Sequence, residues 1–249
     1  MTFDQTGCSD QKPGSRMYLL GVRIDNLSMQ EVLEKIRGFL NDGRQHYIVT
    51  PNPEILILAQ KDKEFREILN NADLSIADGV GLVRASRMLG EPLKERVTGI
   101  DLIPGIMNYE SGIRNKVFLL GGRNGVAEKI AAQWPAVVGF SEETDGMELF
   151  ARIRQCQPDI LLVALGAPRQ EKWIAENLAK VPSVKVAIGV GGAFDFLSGK
   201  IRRAPVFMQK MGLEWFWRLI LQPWRVGRIF NAVIIFPSMI LREKIKASK

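Results

Sequence analysis

An α/β sandwich, a mostly parallel sheet covered by helices on both faces, is the architecture this sequence specifies, followed by a helical basic tail. Short apolar runs alternate with helix-patterned stretches over residues 17–199. Several runs are continuously apolar rather than alternating, as strands buried on both faces are. No strand pattern follows residue 200, where the chain turns basic and aromatic. These features divide the chain into a loose polar tail (1–16), an α/β core (17–199) and a helical, basic appendage (200–249).

In order, Tyr18 to Ile24 reads as a short strand. Ser28 with Glu31 forms a capping box that opens a helix to about Leu40, closed by Gly43. Tyr47 to Thr50 is a strand, and Pro53 suits the first turn of the next helix. Leu74 to Ala77 is a strand leading through Asp78-Gly79-Val80-Gly81 into a helix to about Leu89. Val117 to Leu120 runs into Gly121-Gly122 and a helix from about Asn124. Ile160 to Leu165 precedes Gly166 and a helix with Gln170 and Trp173. Val184 to Val190 ends in Gly191-Gly192. Val206 to Leu221 reads as one helix, broken by Pro223, with more helix to about Lys246.

Composition narrows the function. The 249 residues carry 34 Lys and Arg against 27 Asp and Glu, a net charge of +7. The last 50 residues hold 11 basic and 2 acidic groups, so the excess belongs to the tail. A basic segment beside a near-neutral domain points to an anionic partner, a nucleic acid or a membrane surface. Two cysteines without a CxxC spacing give no disulfide framework and suit a reducing cytosol. A single histidine, His46, argues against His-based metal sites and a Ser–His–Asp triad. The N-terminus lacks a signal peptide's apolar run. No uncharged apolar stretch reaches about 18 residues; Ile229 to Leu241 comes nearest and contains Pro237.

In an open parallel sheet, ligands bind beyond the carboxyl ends of the strands. There this chain places Thr50, Asn52, Asp78, Gly122, Gly166, Gly191 and Asp195. Glycine turns let backbone N–H groups approach a phosphate, and equally they simply make tight turns. Neither GxGxxG nor GxxxxGK[ST] follows a strand. Asp78 can serve as a base, ionised at neutral pH, or as the N-cap of the following helix, and the pattern alone leans to the cap. Thr50 and Asn52 can bond a substrate or merely end a strand and make a turn. Arg96 and Asp101 can form a surface ion pair. Asp195 can accept from ribose hydroxyls or cap a turn. With no DxD to hold a metal against a diphosphate, arginines must neutralise it. Arg218, Arg225 and Arg228 would share a broad face of one continuous helix, which Pro223 puts in question. Trp215, Trp217 and Trp224 among arginines fit a membrane interface or partner surface, and also single-stranded nucleic acid.

Six ordered blocks then become specific: Thr50-Pro51-Asn52-Pro53, Ala77-Asp78-Gly79-Val80-Gly81, Arg96-Val97-Thr98-Gly99-Ile100-Asp101-Leu102, Gly166-Ala167-Pro168-Arg169-Gln170-Glu171, Gly189-Val190-Gly191-Gly192-Ala193-Phe194-Asp195 and Arg203-Ala204-Pro205. Over about residues 18–230 the chain resembles the WecG/TagA/CpsF family of bacterial glycosyltransferases, in its TagA-type branch. The resemblance implies a Rossmann-like core with a C-terminal appendage. It implies inverting transfer of a sugar, often N-acetylmannosamine, from a UDP-sugar to N-acetylglucosamine on undecaprenyl diphosphate. The reaction would take place at the cytoplasmic leaflet, as in wall teichoic acid synthesis, without a metal or other cofactor. By motif, Asp78 corresponds to the base, Thr50 and Asn52 to the donor-sugar pocket, and Gln170 to the site. Arg218, Arg225 and Arg228 correspond to arginines that close over the diphosphate. Arg96 and Asp195 fall in matching blocks.

The same fold transferring glucose or N-acetylmannosaminuronic acid is the nearer alternative, since a few pocket hydrogen bonds choose the sugar. A nucleic-acid-binding protein is the distant one: a basic tail is generic, the six blocks are not, and no nucleic-acid partner is expected. The expected partners are the UDP-sugar, the lipid-diphosphate acceptor and the anionic inner face of the plasma membrane. An apolar tail can also pack on a second copy, as a homo-oligomer that opens on the membrane.

Overall fold

A computed structural model describes residues 16–107 and 115–247. The N-terminal segment expected to be a loose tail lies outside the described residues, apart from Arg16. The elements are β1 (Arg16–Leu19), β2 (Val22–Asp25), α1 (Met29–Asn41), β3 (His46–Val49), α2 (Pro53–Lys61), α3 (Lys63–Asn71), β4 (Leu74–Ser75), α4 (Val80–Leu89), α5 (Gly99–Met107), β5 (Val117–Gly121), α6 (Val126–Ala131), β6 (Val137–Ser141), α7 (Met147–Cys156), β7 (Ile160–Ala164), α8 (Arg169–Asn177), β8 (Val186–Gly189) and α9 (Ala193–Leu197). Then come α10 (Val206–Met211), α11 (Glu214–Leu221), a 3₁₀ turn at Pro223–Arg225, α12 (Val226–Phe230), a π turn at Asn231–Ile235 and α13 (Phe236–Ala247).

Six strands form a parallel sheet in the order β4-β3-β8-β7-β5-β6. β5 and β8 are buried at every residue, as two covered faces require. Alternate side chains serve opposite cores. Val117, Leu119, Ile160, Leu162 and Ile188 pack under α1, α5, α6 and α9. Phe118, Leu120, Leu161 and Val163 pack under α7 and α8. The sandwich expected from the sequence is therefore present.

Local signals placed several elements. Ser28 and Glu31 complete both halves of their capping box on α1. Asn52 caps α2 by accepting from the Ile55 N–H, with Pro53 in the first turn. Gly81 lets α4 approach α2: a Cβ there would lie 2.5 Å from the Pro53 Cγ.

Two expectations are corrected, a strand absent from the sequence reading is added, and the last helix accommodates its proline. Tyr18 to Ile24 is a tight hairpin, because Leu20 and Gly21 both take positive φ, the geometry of a two-residue turn. β6, which its short sequence hid, is an edge strand with mixed burial. Residues 206–221 form two helices, separated at Gly212, which takes φ +73°. Pro237 does not interrupt the last helix: the Phe236 N–H reaches back to the Asn231 carbonyl, a π turn that accommodates the proline ring.

The helix over Pro223–Lys246 is long and apolar enough to cross a membrane by length and composition. Two residues one turn apart, Phe236 and Ile240, are fully buried in the core formed by β1, β2, α2, α3 and α4. Trp224, Val226, Phe230, Ile234, Leu241 and Ile245 are exposed. The last helix thus completes the globular core with one face and leaves another apolar face uncovered. Phe236→Ala should cost about 3–5 kcal/mol, and Ile245→Ala no more than about 0.5 kcal/mol, in denaturant unfolding. Equal costs would mean that the helix does not pack on the core.

Candidate active site

The carboxyl ends of β3, β7 and β8 are tied to one another by two side chains. Thr50, just past β3, donates its hydroxyl to the Gly189 carbonyl at 2.8 Å. Gln170, in the first turn of α8, accepts with Oε1 from the N–H of Gly166 (3.2 Å) and of Gly191 (3.0 Å). Its Nε2 donates to Glu171 Oε1 at 2.8 Å. Gln170 is buried, and its amide is committed to loops on both sides. The structure therefore sets Gln170 beneath the cleft and Thr50 in its wall.

The glycine turns do not present the free donors that their sequence suggested. Gly166 and Gly191 give their N–H groups to Gln170, and Gly122 gives its own to the Ala164 carbonyl. In the turn after β5, the Asn124 and Gly125 N–H groups are taken by the Glu142 carboxylate. Gly122 and Gly191 contribute space and shape here, and positive charge must come from elsewhere.

Asp78 lies just beyond β4, its backbone N–H bonded to the Pro51 carbonyl. The N-cap of α4 is Gly79, without a side-chain cap bond. The capping role that the pattern favoured is thus replaced by a carboxylate with no hydrogen bond among the described residues. The side chain keeps partial access to the cleft, yet protein surrounds it closely. Desolvation pushes its pKa up to about 7, opposed by Arg96 and Arg218 and reinforced by Glu214 and Asp101.

The C-terminal segment roofs this floor. Arg218 of α11 lies over the Phe196 ring, 5.0 Å from its centroid, with its guanidinium against Gly192, where a Cβ would collide with it. Arg218 Nη2 and Arg225 Nε are buried without hydrogen-bond partners among the described residues. Burial lowers both pKa values, Arg225's to about 10, and neighbouring guanidinium charge adds to the effect. Arg228 makes a two-pronged pair with Glu54, at 2.5 and 2.8 Å, at the start of α2. The chain breaks between α11 and Pro223, so the three arginines do not share one helix face; the break folds them together instead. Asp195 faces Arg218 and lies 3.8 Å from Lys200 Nζ.

Arg96 and Asp101 do not pair with each other. Arg96 binds Glu214 of α11 at 2.6 Å, and Asp101 binds Arg203 through both oxygens, at 2.6 and 2.9 Å. These are bonds between core and C-terminal segment. Asp78, Arg96, Asp195, Arg218, Arg225 and Arg228 are thus gathered beyond the carboxyl ends of the strands within electrostatic reach of one another, beside Asn52 at the start of α2. Two acids were missed. Glu171 stood in a quoted block without a role. Glu214 is one of only two acids in a tail of 11 basic residues, and that rarity was the available signal.

An arrangement of one unpaired carboxylate opposite buried, unspent guanidinium donors can take a proton from one group while stabilising negative charge on another. Residues 17–249 match the Glycosyl transferase WecG/TagA/CpsF family. The chain is 34% identical over 247 residues to the N-acetylglucosaminyldiphosphoundecaprenol N-acetyl-beta-D-mannosaminyltransferase of Staphylococcus aureus (strain MRSA252), covering 94% of this chain and 96% of that one. It is 33% identical over 231 residues to the protein of the same name in Bacillus subtilis (strain 168), covering 86% and 90%.

Glu171 is fully buried, with Oε2 unpartnered among the described residues, and desolvation pushes its pKa up to about 7 from 4.5. Below about 4.5 the carboxyl is protonated folded or unfolded. As pH rises toward and past 7, the unfolded chain ionises first and folding loses stability. Glu171→Gln should therefore raise stability by about 3 kcal/mol at pH 8 and hardly at all at pH 4.5, measured by thermal or denaturant unfolding. A gain independent of pH would contradict this.

Proposed function

The chain belongs to the WecG/TagA/CpsF glycosyltransferase family, and on that premise we propose that it transfers N-acetylmannosamine from UDP-N-acetylmannosamine to lipid-linked N-acetylglucosamine. The acceptor is carried on undecaprenyl diphosphate, the new linkage is β-1,4, and the product serves a cell-wall or surface polysaccharide. The observation that carries this reading is the pairing, in one cleft, of an uncommitted Asp78 carboxylate with buried Arg218 and Arg225 donors that lack partners.

Asp78 removes the proton from the acceptor's 4-hydroxyl as that oxygen attacks the anomeric carbon. The bond from the anomeric carbon to the UDP oxygen breaks, and its electron pair leaves with the diphosphate. Attack from the opposite face inverts the centre. Arg218 and Arg225 receive the charge that develops on the diphosphate, and Arg228 adds to their field. Asn52 bonds the donor sugar, a reading its amide nitrogen leaves open, since it carries no hydrogen bond among the described residues while Oδ1 caps α2.

Residues 200–249 then act as a membrane-binding appendage at the cytoplasmic face. Buried Phe236 and Ile240 hold the long helix to the core, and this supports a helix lying in the interface rather than crossing it. Trp224 and Phe230 enter the headgroup region, and each basic residue near an anionic surface contributes about 1 kcal/mol.

UDP release from UDP-N-acetylmannosamine should require a lipid-diphosphate N-acetylglucosamine acceptor. Asp78→Asn should lower kcat about 10²–10⁴-fold without unfolding the protein. Near wild-type turnover would remove Asp78 as base; no release by wild type would overturn the donor assignment. Activity should fall as pH drops through about 7, where Asp78 takes up its proton. In sedimentation with anionic vesicles, Trp224→Ser with Phe230→Ser should bind at least about 10-fold more weakly; unchanged binding would refute the interfacial helix.

A further inference from the structure

The tail's two acids both reach back to the core. Glu243 accepts from the Leu20 N–H at 3.2 Å. Glu214, the first residue of α11, does more. One oxygen meets Arg96 Nη1 at 2.6 Å and the other lies 3.4 Å from Arg203 Nε. Arg203 in turn holds Asp101, whose second partner is the Thr98 hydroxyl at 2.6 Å. The result is an alternating string, Arg96, Glu214, Arg203, Asp101, that crosses from the core to the C-terminal segment and back. Each of these side chains is between 23% and 35% exposed, so water screens the string only in part.

The string borders the base. Four charged groups act on Asp78: Arg96 from the segment before α5, Asp101 from α5, and Glu214 and Arg218 from α11. The two cations favour the carboxylate and the two anions oppose it. Arg203 already engages Asp101, so Glu214 is the group that balances Arg96. Glu214 and Arg218 are also four residues apart on one helix, hence on one face. Seating Glu214 on Arg96 brings Arg218 to Gly192.

We infer that Glu214 is a positioning residue for this reaction, one that seats α11 over the cleft and neutralises Arg96 beside Asp78, so that the base is set only when the C-terminal segment is docked. This rests on Asp78 being the base. Loss of Glu214 removes an anion near Asp78 and releases the full charge of Arg96. Glu214 acts on Asp78 more strongly than Arg218 does, so even with Arg218 unseated the net change stabilises the carboxylate, and Asp78 ionises at lower pH.

The test uses the full chain, as wild type, Glu214→Gln and Glu214→Asp. Asp78 is titrated by carboxyl carbon NMR without substrate, and kcat/KM is followed against pH. In Glu214→Gln, the Asp78 midpoint and the acid limb of the profile should both fall by about one pH unit. In the same variant kcat at pH 8 should drop about 10-fold or more as Arg218 loses its seat. Glu214→Asp should keep the wild-type limb. A Gln variant whose midpoint stays at the wild-type pH overturns the inference, whether activity is unchanged or lost evenly at every pH. Should Glu214→Gln unfold, Arg96→Gln decides the matter: its Asp78 midpoint must rise, and a fixed midpoint overturns the inference. The NMR titration needs no turnover, so failure of the sugar-transfer reading would leave it intact.

Discussion

Two side chains lace together the ends of three parallel strands, and the rest of the site stands on that lacing. Thr50 ties β3 to β8, and Gln170 ties the turn after β7 to the turn after β8. Parallel strands end in chain segments that diverge into separate helices, so nothing in the sheet's own ladder holds these turns in register. Side chains must do it. Gln170 commits its amide to that task, and Glu171 beneath it keeps the amide the right way round. With the turns consuming their own N–H groups, the cleft has shape but little backbone charge to offer an anion. That deficit is met by guanidinium groups from a segment far along the chain.

The electrostatics follow from this division of labour. The core supplies the carboxylate and the C-terminal segment supplies most of the cations, so neither half carries the full charge pattern alone. Asp78 is costly to ionise because protein surrounds it, and the same enclosure strengthens every charge that faces it. Arg218 and Arg225 are costly to bury without partners, which makes the closed cleft receptive to a polyanion. A carboxylate without a hydrogen bond and guanidinium nitrogens without partners, among the described residues, thus face the same site.

Much of this was legible in the residues, and what was not has physical causes. The capping box at Ser28 and Glu31 and the Asn52-Pro53 helix start depend on neighbours three residues away, so they read directly. The strands buried on both faces were visible as unbroken apolar runs. The hairpin at Leu20-Gly21 was hidden because a leucine holds one of its positive-φ positions. β6 was hidden because an edge strand needs no strict pattern. Asp78 and the arginines stood in recognisable blocks, but their partners did not. Arg96 finds Glu214 118 residues away, Arg203 finds Asp101 at 102, and Arg228 finds Glu54 at 174. No local pattern encodes such pairs. The charge count of the tail held a clue in its two acids, each of which proves to be an attachment point.

The π turn at Asn231–Ile235 gives the last helix a fixed phase. Upstream of it, Arg225 and Arg228 point toward the cleft and Trp224 and Phe230 toward the exterior; downstream, Phe236 and Ile240 point into the core. An α-helix turns about 100° per residue. The π turn takes up one extra residue in a single wide turn, so a deletion within it would restore an ordinary helical ladder with the two halves nearly in phase, whereas a deletion just upstream, between Arg228 and Asn231, would rotate the upstream half by about that angle. The arginines would leave the cleft while every other residue kept its identity. Composition in this segment can change as long as it stays apolar and basic, whereas a change of length outside the wide turn has nothing to absorb it.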